Sequence, residues 1–141
     1  SEGSAIRAVP FDPGGRVTTV VGVPGSLFDF GDVDGVYPKV RLQHPLGIVF
    51  HQGKLYVADT YNNKIKVIDP AARSCHTLAG TGRPGSEDAP DGQQATFNEP
   101  TGLFAAGDKL YVADTNNHAI RVVELRAPFR VTTLTMDGQA P

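Results

Sequence analysis

The apolar residues of this chain fall in short runs that are separated by glycine, proline, aspartate and asparagine. Two runs, KIKVID (64–69) and AIRVVEL (119–125), alternate between apolar and charged positions. This alternation is typical of strands with one buried and one solvated face. No segment combines helical periodicity with start and stop signals. The pattern therefore predicts an all-β chain of many short strands.

These runs repeat in the same order along the chain. Residues 42–68 align with 97–123 without gaps, and both copies contain LYVADT-x-N, at 55–62 and 110–117. The shared frame is Pro-x-Gly, an apolar run, a turn, Leu-Tyr-Val-Ala-Asp, a second turn and Ile-x-Val. A repeat of this length indicates an architecture built from identical structural units.

Each unit divides into four strands, and the N-terminus adds the last two strands of another unit. This division places a half unit at 1–22, a first unit at 23–80 and a second unit at 81–141. The predicted strands are 5–9 and 14–22 in the half unit, 47–51, 54–59, 64–69 and 75–80 in the first unit, and 102–106, 109–114, 119–125 and 130–136 in the second unit. Antiparallel four-stranded units that recur along a chain are typical of β-propeller blades.

The repeated motifs resemble those of the NHL-repeat family of β-propellers. In particular, FDFGDVDG followed by RLQHPLGI (28–35 and 41–48) resembles NHL-repeat proteins that carry a thioredoxin-like domain upstream of the propeller. The resemblance implies a ring of about six blades, whereas this sequence supplies about two and a half. Two interpretations stay open: the chain is part of a longer propeller, or copies of it assemble to complete the ring.

Composition narrows the functional classes. The 141 residues carry a formal net charge of -2, which gives no general attraction to a nucleic-acid backbone. No apolar run approaches the length of a membrane span. Cys75 is the single cysteine, so no intrachain disulfide is possible, and we expect a cytoplasmic protein. We predict no cofactor.

The long connections between units predict a binding surface. In an up-and-down meander, the turns after the second strands and the segments 23–45 and 81–100 lie at one end of the blades, which we call the loop face. Long loops are uncommon unless they are functional. We count nine acids on the loop face against four bases: Asp29, Asp32, Asp34, Asp59, Glu87, Asp88, Asp91, Glu99 and Asp114 against Lys39, Arg41, Lys64 and Arg83. This excess predicts a protein or peptide partner and disfavours RNA, which some NHL proteins bind.

The Asp-Thr-x-Asn end of the repeated motif predicts a turn. Asp59 and Asn62, and their counterparts Asp114 and Asn117, are expected to accept backbone N–H groups within the tight bend between strands two and three. A feature copied into every unit is more typical of architecture than of a ligand site.

Positions that differ between the copies are the better candidates for function. His44 and Glu99 both precede Pro-x-Gly, where the resemblance places them near the mouth of the central channel, and Arg41 lies close to His44 in sequence. Tyr61 aligns with Asn116 of the second copy, and Asn63 aligns with His118.

These candidates leave an enzymatic alternative open. The resemblance extends to propeller lyases and lactonases that hold Zn²⁺ or Ca²⁺ at the channel mouth, but one histidine and one carboxylate are too few to predict a metal site. We therefore predict a binding scaffold without catalytic residues, with the metal-dependent enzyme as the alternative.

Overall fold

The computed structural model describes residues 3–135. It contains eleven strands and three short 3₁₀ helices, at Thr60–Asn62, Gly92–Gln94 and Thr115–Asn117. The strands are β1 (Ser4–Ala8), β2 (Thr18–Val23), β3 (Gly35–Val36), β4 (Gly47–His51), β5 (Lys54–Asp59), β6 (Lys64–Asp69), β7 (Ser74–Ala79), β8 (Pro100–Ala106), β9 (Lys109–Asp114), β10 (Ala119–Glu124) and β11 (Val131–Thr133).

The strands form three separate antiparallel sheets. A half-blade contains β1 and β2, the first blade has the order β3-β7-β6-β5-β4, and the second blade has the order β11-β10-β9-β8. Within a blade, each strand pairs with its neighbour in sequence, except β3, which pairs with β7. The prediction of an all-β propeller with about two and a half four-stranded blades is therefore confirmed.

All ten predicted strands are present; β4, β5, β6 and β9 have the predicted bounds, and the other six have shifted ends. The largest difference is in the half-blade, where the strand predicted at 14–22 begins only at Thr18. The strand predicted at 130–136 covers Val131–Thr133, and its last predicted residue lies outside the described part of the chain.

The long connection into the first blade is more ordered than its sequence predicts. Its residues Gly35 and Val36 form an eleventh strand, β3, which pairs with Cys75 and Ser74 on the outer edge of the sheet. In the second blade, Ala89 makes an equivalent isolated bridge to Val131. Each connection therefore covers the outer edge of its own blade, an edge that would otherwise be open for pairing.

Two apolar cores lie between the three sheets. Val57 and Ile68 of the first blade pack with Val21 toward the half-blade. Cys75 belongs to the same core, and burial raises the pKa of its thiol to about 12. On the opposite side of the first blade, Ile65 packs against the second blade. The first blade is thus buried on both faces.

Candidate functional site

The loop face is organised by the two Asp-Thr-x-Asn turns. In each turn a 3₁₀ helix ends at a residue with left-handed backbone, which is Asn63 (φ 54°) in the first blade and His118 (φ 52°) in the second. Asparagine and histidine are among the residues that tolerate this conformation best. The left-handed residue is therefore the one after the motif.

The motif residues make internal hydrogen bonds, but their partners differ from the predicted ones. Asp59 accepts the N–H of Gln43 at 2.7 Å, and Asp114 accepts the N–H of Asn98 at 2.8 Å. Both N–H groups belong to the end of a long connection, so the acids anchor that connection and do not close the turn.

The motif asparagines donate hydrogen bonds where acceptance was predicted. The Nδ2 of Asn62 donates to Gly31 O and to the Asp59 carboxylate, both at 2.7 Å. Asn117 bonds to Gly85 O and Asp114 in the same way. The prediction was wrong on this point because the connection folds back over the turn.

Asp59 should make stability depend on pH between about 4 and 6. Burial raises its pKa to about 6, against hydrogen bonds from Asn62 and Gln43 that favour the carboxylate. The folded protein then holds a proton that the unfolded chain has released, so this residue's contribution to the unfolding free energy falls by about 3 kcal/mol as the pH rises through that window.

The variant Asp59→Asn removes this titration. Urea unfolding of both proteins from pH 4 to pH 7 should show the variant gaining stability relative to the wild type as the pH rises. A difference between the two proteins that stays constant over this range would contradict the assignment.

The long connection of the first blade also covers a buried lysine, Lys66. Alternation in β6 places Lys66 on a solvated face, yet Lys66 is fully buried. Its Nζ lies 2.6 Å from carboxylate oxygens of both Asp32 and Asp34, which come from the long connection. Burial alone would lower the pKa of Lys66, but these two carboxylates outweigh it and raise the pKa.

The pKa values of Asp32 and Asp34 are shifted in the opposite direction, downward. Burial acts to raise the pKa of Asp32 and of Asp34, but the hydrogen bonds and charge of Lys66, together with Lys64 beside Asp32, hold both pKa values below their usual range. Asp34 also accepts hydrogen bonds from the N–H and the hydroxyl of Thr77 at 2.8 Å.

Arg121 occupies the equivalent position in the second blade and is also fully buried. Its guanidinium bonds to Asp114 and to Asp88, both at 2.8 Å, and also to the carbonyl oxygens of Thr96 and Glu87. Both cations bridge two acids, but the forked donors of arginine also reach two carbonyl oxygens, whereas the ammonium of lysine acts as a point charge. The expectation that the strand cations face solvent was wrong, because the loop acids reach over them.

These contacts change the charge character of the loop face. Six of its nine predicted acids are held in internal hydrogen bonds or ion pairs: Asp32, Asp34, Asp59, Asp88, Asp91 and Asp114. Asp29, Glu87 and Glu99 form no ion pair among residues 3–135. The free negative charge is therefore smaller than the sequence count.

An aromatic cavity lies on the loop face between the half-blade and the first blade. The rings of His44 and Tyr61 stack with centroids 4.6 Å apart and planes 14° from parallel. Leu27 and Phe30 from the long connection complete the apolar wall. The exposed fractions of these two residues are 58% and 50%. The cavity encloses about 260 Å³, and Ser4 and Gln43 supply its polar lining.

The remaining predicted site residues do not join this cavity. Arg41 donates to the backbone oxygens of Pro38 and Val40, and so stabilises its own loop. Glu99 contacts the first blade through its N–H, which donates to the Asn63 side chain at 2.8 Å.

The other two predicted residues belong to the second blade. Asn116 bonds to Asn98. His118 lines a separate cavity beside Asp114. The structure therefore brings together only His44 and Tyr61.

Sequence reasoning missed Leu27, Phe30, Lys66 and Arg121. Leu27 and Phe30 lie in a connection without periodic pattern, so no local signal places them beside Tyr61. Lys66 and Arg121 had a usable signal, because each unit repeats a strand cation at the same position and is preceded by an acid-rich connection.

No group of three or more His, Cys, Asp or Glu side chains within residues 3–135 is arranged to hold a metal ion. None of the helical segments in this part of the chain has the length and apolar character needed to span a bilayer.

Comparison with known families matches the two repeated units. The family model described as NHL repeat matches residues 42–68 and again residues 97–123. This chain carries two NHL repeats. They span β4–β6 of the first blade and β8–β10 of the second blade with the turns between them, including both Asp-Thr-x-Asn motifs.

Curated relatives contain the same NHL segment within much longer proteins. NHL repeat-containing protein 2 is 46% identical in Bos taurus and 45% identical in Homo sapiens, and each alignment covers 98% of this chain and 21% of the relative. Protein SUPPRESSOR OF QUENCHING 1, chloroplastic, from Arabidopsis thaliana is 42% identical over all of this chain and 14% of its own length. The chain thus spans about a fifth or less of these relatives.

Solved structures share the NHL-type fold. An auxiliary nutrient binding protein from Bacteroides ovatus superposes with a TM-score of 0.72 at 26% identity, over 86% of this chain and 32% of the neighbour. A protein of the same description from Bacteroides thetaiotaomicron gives a TM-score of 0.53 at 23% identity, over 82% and 28%. The second likeness concerns the fold alone.

Proposed function

We propose that this chain is a protein- or peptide-binding module that acts through its loop face. The observation that carries the proposal is the aromatic cavity, where the stacked His44 and Tyr61 meet the exposed side chains of Leu27 and Phe30. Aromatic residues are enriched where proteins recognise one another, because they bury a large area at low entropic cost.

The size of the cavity favours a side-chain anchor. Its volume of about 260 Å³ lies below the range of about 300–1,000 Å³ that is usual for pockets enclosing a whole small molecule. The Bacteroides ovatus neighbour is named as a nutrient binding protein. For this chain we infer instead that one apolar or aromatic side chain of a peptide enters the cavity.

The charges around the cavity favour a neutral or basic peptide. Phe28 is exposed nearby in sequence, and the adjacent Asp29 forms no ion pair among the described residues. Two of the four loop-face bases are used internally, since Lys64 pairs with Asp32 and Arg41 bonds to backbone oxygens. A phosphate backbone would find few free cations on this face.

Tyr61→Ala is expected to weaken peptide binding at least ten-fold. Peptides selected from a random library against the wild-type chain should carry an aromatic or aliphatic anchor, and calorimetry should show the loss when the aromatic wall is removed. A ten-fold loss corresponds to about 1.4 kcal/mol, which is ordinary for a buried interface aromatic.

Asn116→Ala is the matched control, because Asn116 holds the position of Tyr61 in the second blade. It should leave the affinity unchanged. Selected peptides that bind Tyr61→Ala as tightly as the wild type would contradict the proposed site.

We further propose a cytoplasmic location. The support is compositional, since the single Cys75 is buried and forms no disulfide. The name of the Arabidopsis relative assigns that protein to the chloroplast. Fractionation of the source cells tests the proposal, and recovery in an organelle fraction would overturn it.

A further inference from the structure

Beside the apolar core between the two blades, three contacts join the first blade to the main chain of one short segment, residues 99–101. The Oδ1 of Asn63 accepts the N–H of Glu99 at 2.8 Å. The hydroxyl of Thr60 donates to the carbonyl oxygen of Pro100 at 2.8 Å. The carbonyl oxygen of Thr101 lies directly over Gly47, where any Cβ would collide with it.

The half-blade makes one of these three contacts with the first blade, the hydrogen bond to the N–H before proline. The residue of the half-blade that corresponds to Asn63 is Ser4, and its hydroxyl accepts the N–H of His44 at 3.1 Å. His44 and Glu99 share the left-handed backbone, with φ of 55° and 52°. One blade therefore recognises the next through the main chain of an X-Pro-x-Gly segment.

The second blade carries the same three recognition groups on its uncovered side. Thr115, His118 and Gly102 correspond to Thr60, Asn63 and Gly47. His118 has φ 52° and ψ 39°, against 54° and 40° for Asn63, so both side chains leave the turn in the same direction.

Burial shows that this side of the second blade has no cover among residues 3–135. Ile120 is 42% exposed, whereas its counterpart Ile65 in the first blade is fully buried. The Thr115 hydroxyl bonds to the Thr101 hydroxyl at 2.7 Å, where Thr60 reaches the next blade. A cavity of about 790 Å³ lies here, lined by Thr115, His118, Ile120 and Leu134 among others. We call this side the front face, defined by Gly102, Thr115, His118 and Ile120.

Histidine can replace asparagine in this contact on chemical grounds. The Nδ1 of histidine and the Oδ1 of asparagine are both bonded to Cγ, so the two acceptors stand equally far from the backbone. A neutral imidazole has one ring nitrogen free to accept a hydrogen bond. His118 thus has the acceptor that an N–H in the position of Glu99 would need.

We propose that the front face is a binding site for the X-Pro-x-Gly segment of a further blade from outside residues 1–141. His118 Nδ1 accepts the N–H of X, and the Thr115 hydroxyl donates to the proline carbonyl. The residue after proline places its carbonyl over Gly102. The two such segments of this chain, which begin at His44 and Glu99, are already bound by the half-blade and the first blade. The occupant is therefore a blade beyond these residues, and the longer relatives leave room for it.

A tandem protein tests the proposal. Residues 1–141 are followed directly by a second copy of residues 81–141, which supplies a new Glu-Pro-Thr-Gly segment. Hydrogen exchange of the 115–120 amides in the first copy should slow at least ten-fold relative to the 141-residue chain. The tandem should also unfold in one transition at a higher temperature.

Variants of the first-copy His118 identify the acceptor. His118→Asn, which restores the residue of the first blade, should keep the protection in the tandem, and His118→Gly, which removes the acceptor but tolerates the left-handed backbone, should remove most of it. In the 141-residue chain His118→Gly should change little. The proposal is overturned if the tandem exchanges as fast as the single chain, if the added copy fails to fold with it, or if His118→Gly retains full protection.

Discussion

Replacing Arg121 with leucine is expected to lower the free energy of unfolding by about 3–5 kcal/mol, which is the usual cost of breaking a buried ion pair from one side. Arg121 and its partner Asp114 are both fully buried, and the guanidinium also satisfies the carbonyl oxygens of Thr96 and Glu87. The variant would leave a buried carboxylate with no cation and two carbonyls with one donor fewer. Urea unfolding of the wild type and the variant gives the difference.

Arg126→Ala is the control for this prediction. Arg126 faces Asp108 across 3.7 Å, and both side chains are mostly exposed, at 81% and 63%. Exposed pairs of this kind contribute about 0–1 kcal/mol. Equal losses for Arg121→Leu and Arg126→Ala would contradict the structural role of the buried cation.

The double variant Arg121→Leu/Asp114→Asn separates the two parts of the loss. Removing the orphaned charge should recover part of the stability, because the main cost of the single variant is the uncompensated carboxylate. No recovery would show that the lost carbonyl contacts and packing dominate.

Gly47→Ala is expected to destabilise the protein by about 3 kcal/mol, at the upper end of the usual cost of overpacking. A Cβ at Gly47 would collide with the carbonyl oxygen of Thr101, which is backbone and cannot rotate away. The two blades must therefore separate or shift. Thermal unfolding and the near-ultraviolet signal of the tyrosines report this change.

Gly102→Ala is the matched control in the same chain. The same substitution at the equivalent position of the second blade meets only the Cβ of Ala113, at 3.4 Å, an ordinary van der Waals contact. Its effect should stay below about 1 kcal/mol, as expected for an alanine in place of a strand glycine. Similar losses for the two variants would show that contact with the next blade is not the reason for the glycine.

The strands could be predicted from the sequence because their signal is local and occurs twice. Alternation in 64–69 and 119–125 fixes the strand period, and the repeated Leu-Tyr-Val-Ala-Asp fixes the register of each unit. The same alternation did not predict that Lys66 and Arg121 are buried. Their burial depends on acids more than thirty residues away in sequence.

The candidate site was predictable only in part. His44 and Tyr61 stand out because they differ from Glu99 and Asn116 in otherwise matching frames. Their stacking, and the contribution of Phe30, depend on how a connection without periodicity folds back over the first blade. The side chains that differ between the two units can indicate a candidate position, but they do not predict how the long connection folds over that position.

At the position before proline, the hydrogen bond that joins one blade to the next is made to the main chain. His44 and Glu99 differ in size, charge and hydrogen-bonding capacity, yet each is held by the preceding sheet through its N–H. A residue that is recognised only by its backbone can be exchanged while the neighbouring blades stay in register. In a propeller of this kind, a substitution at the position before proline can therefore change the ligand preference one blade at a time, while the contacts between the blades are kept.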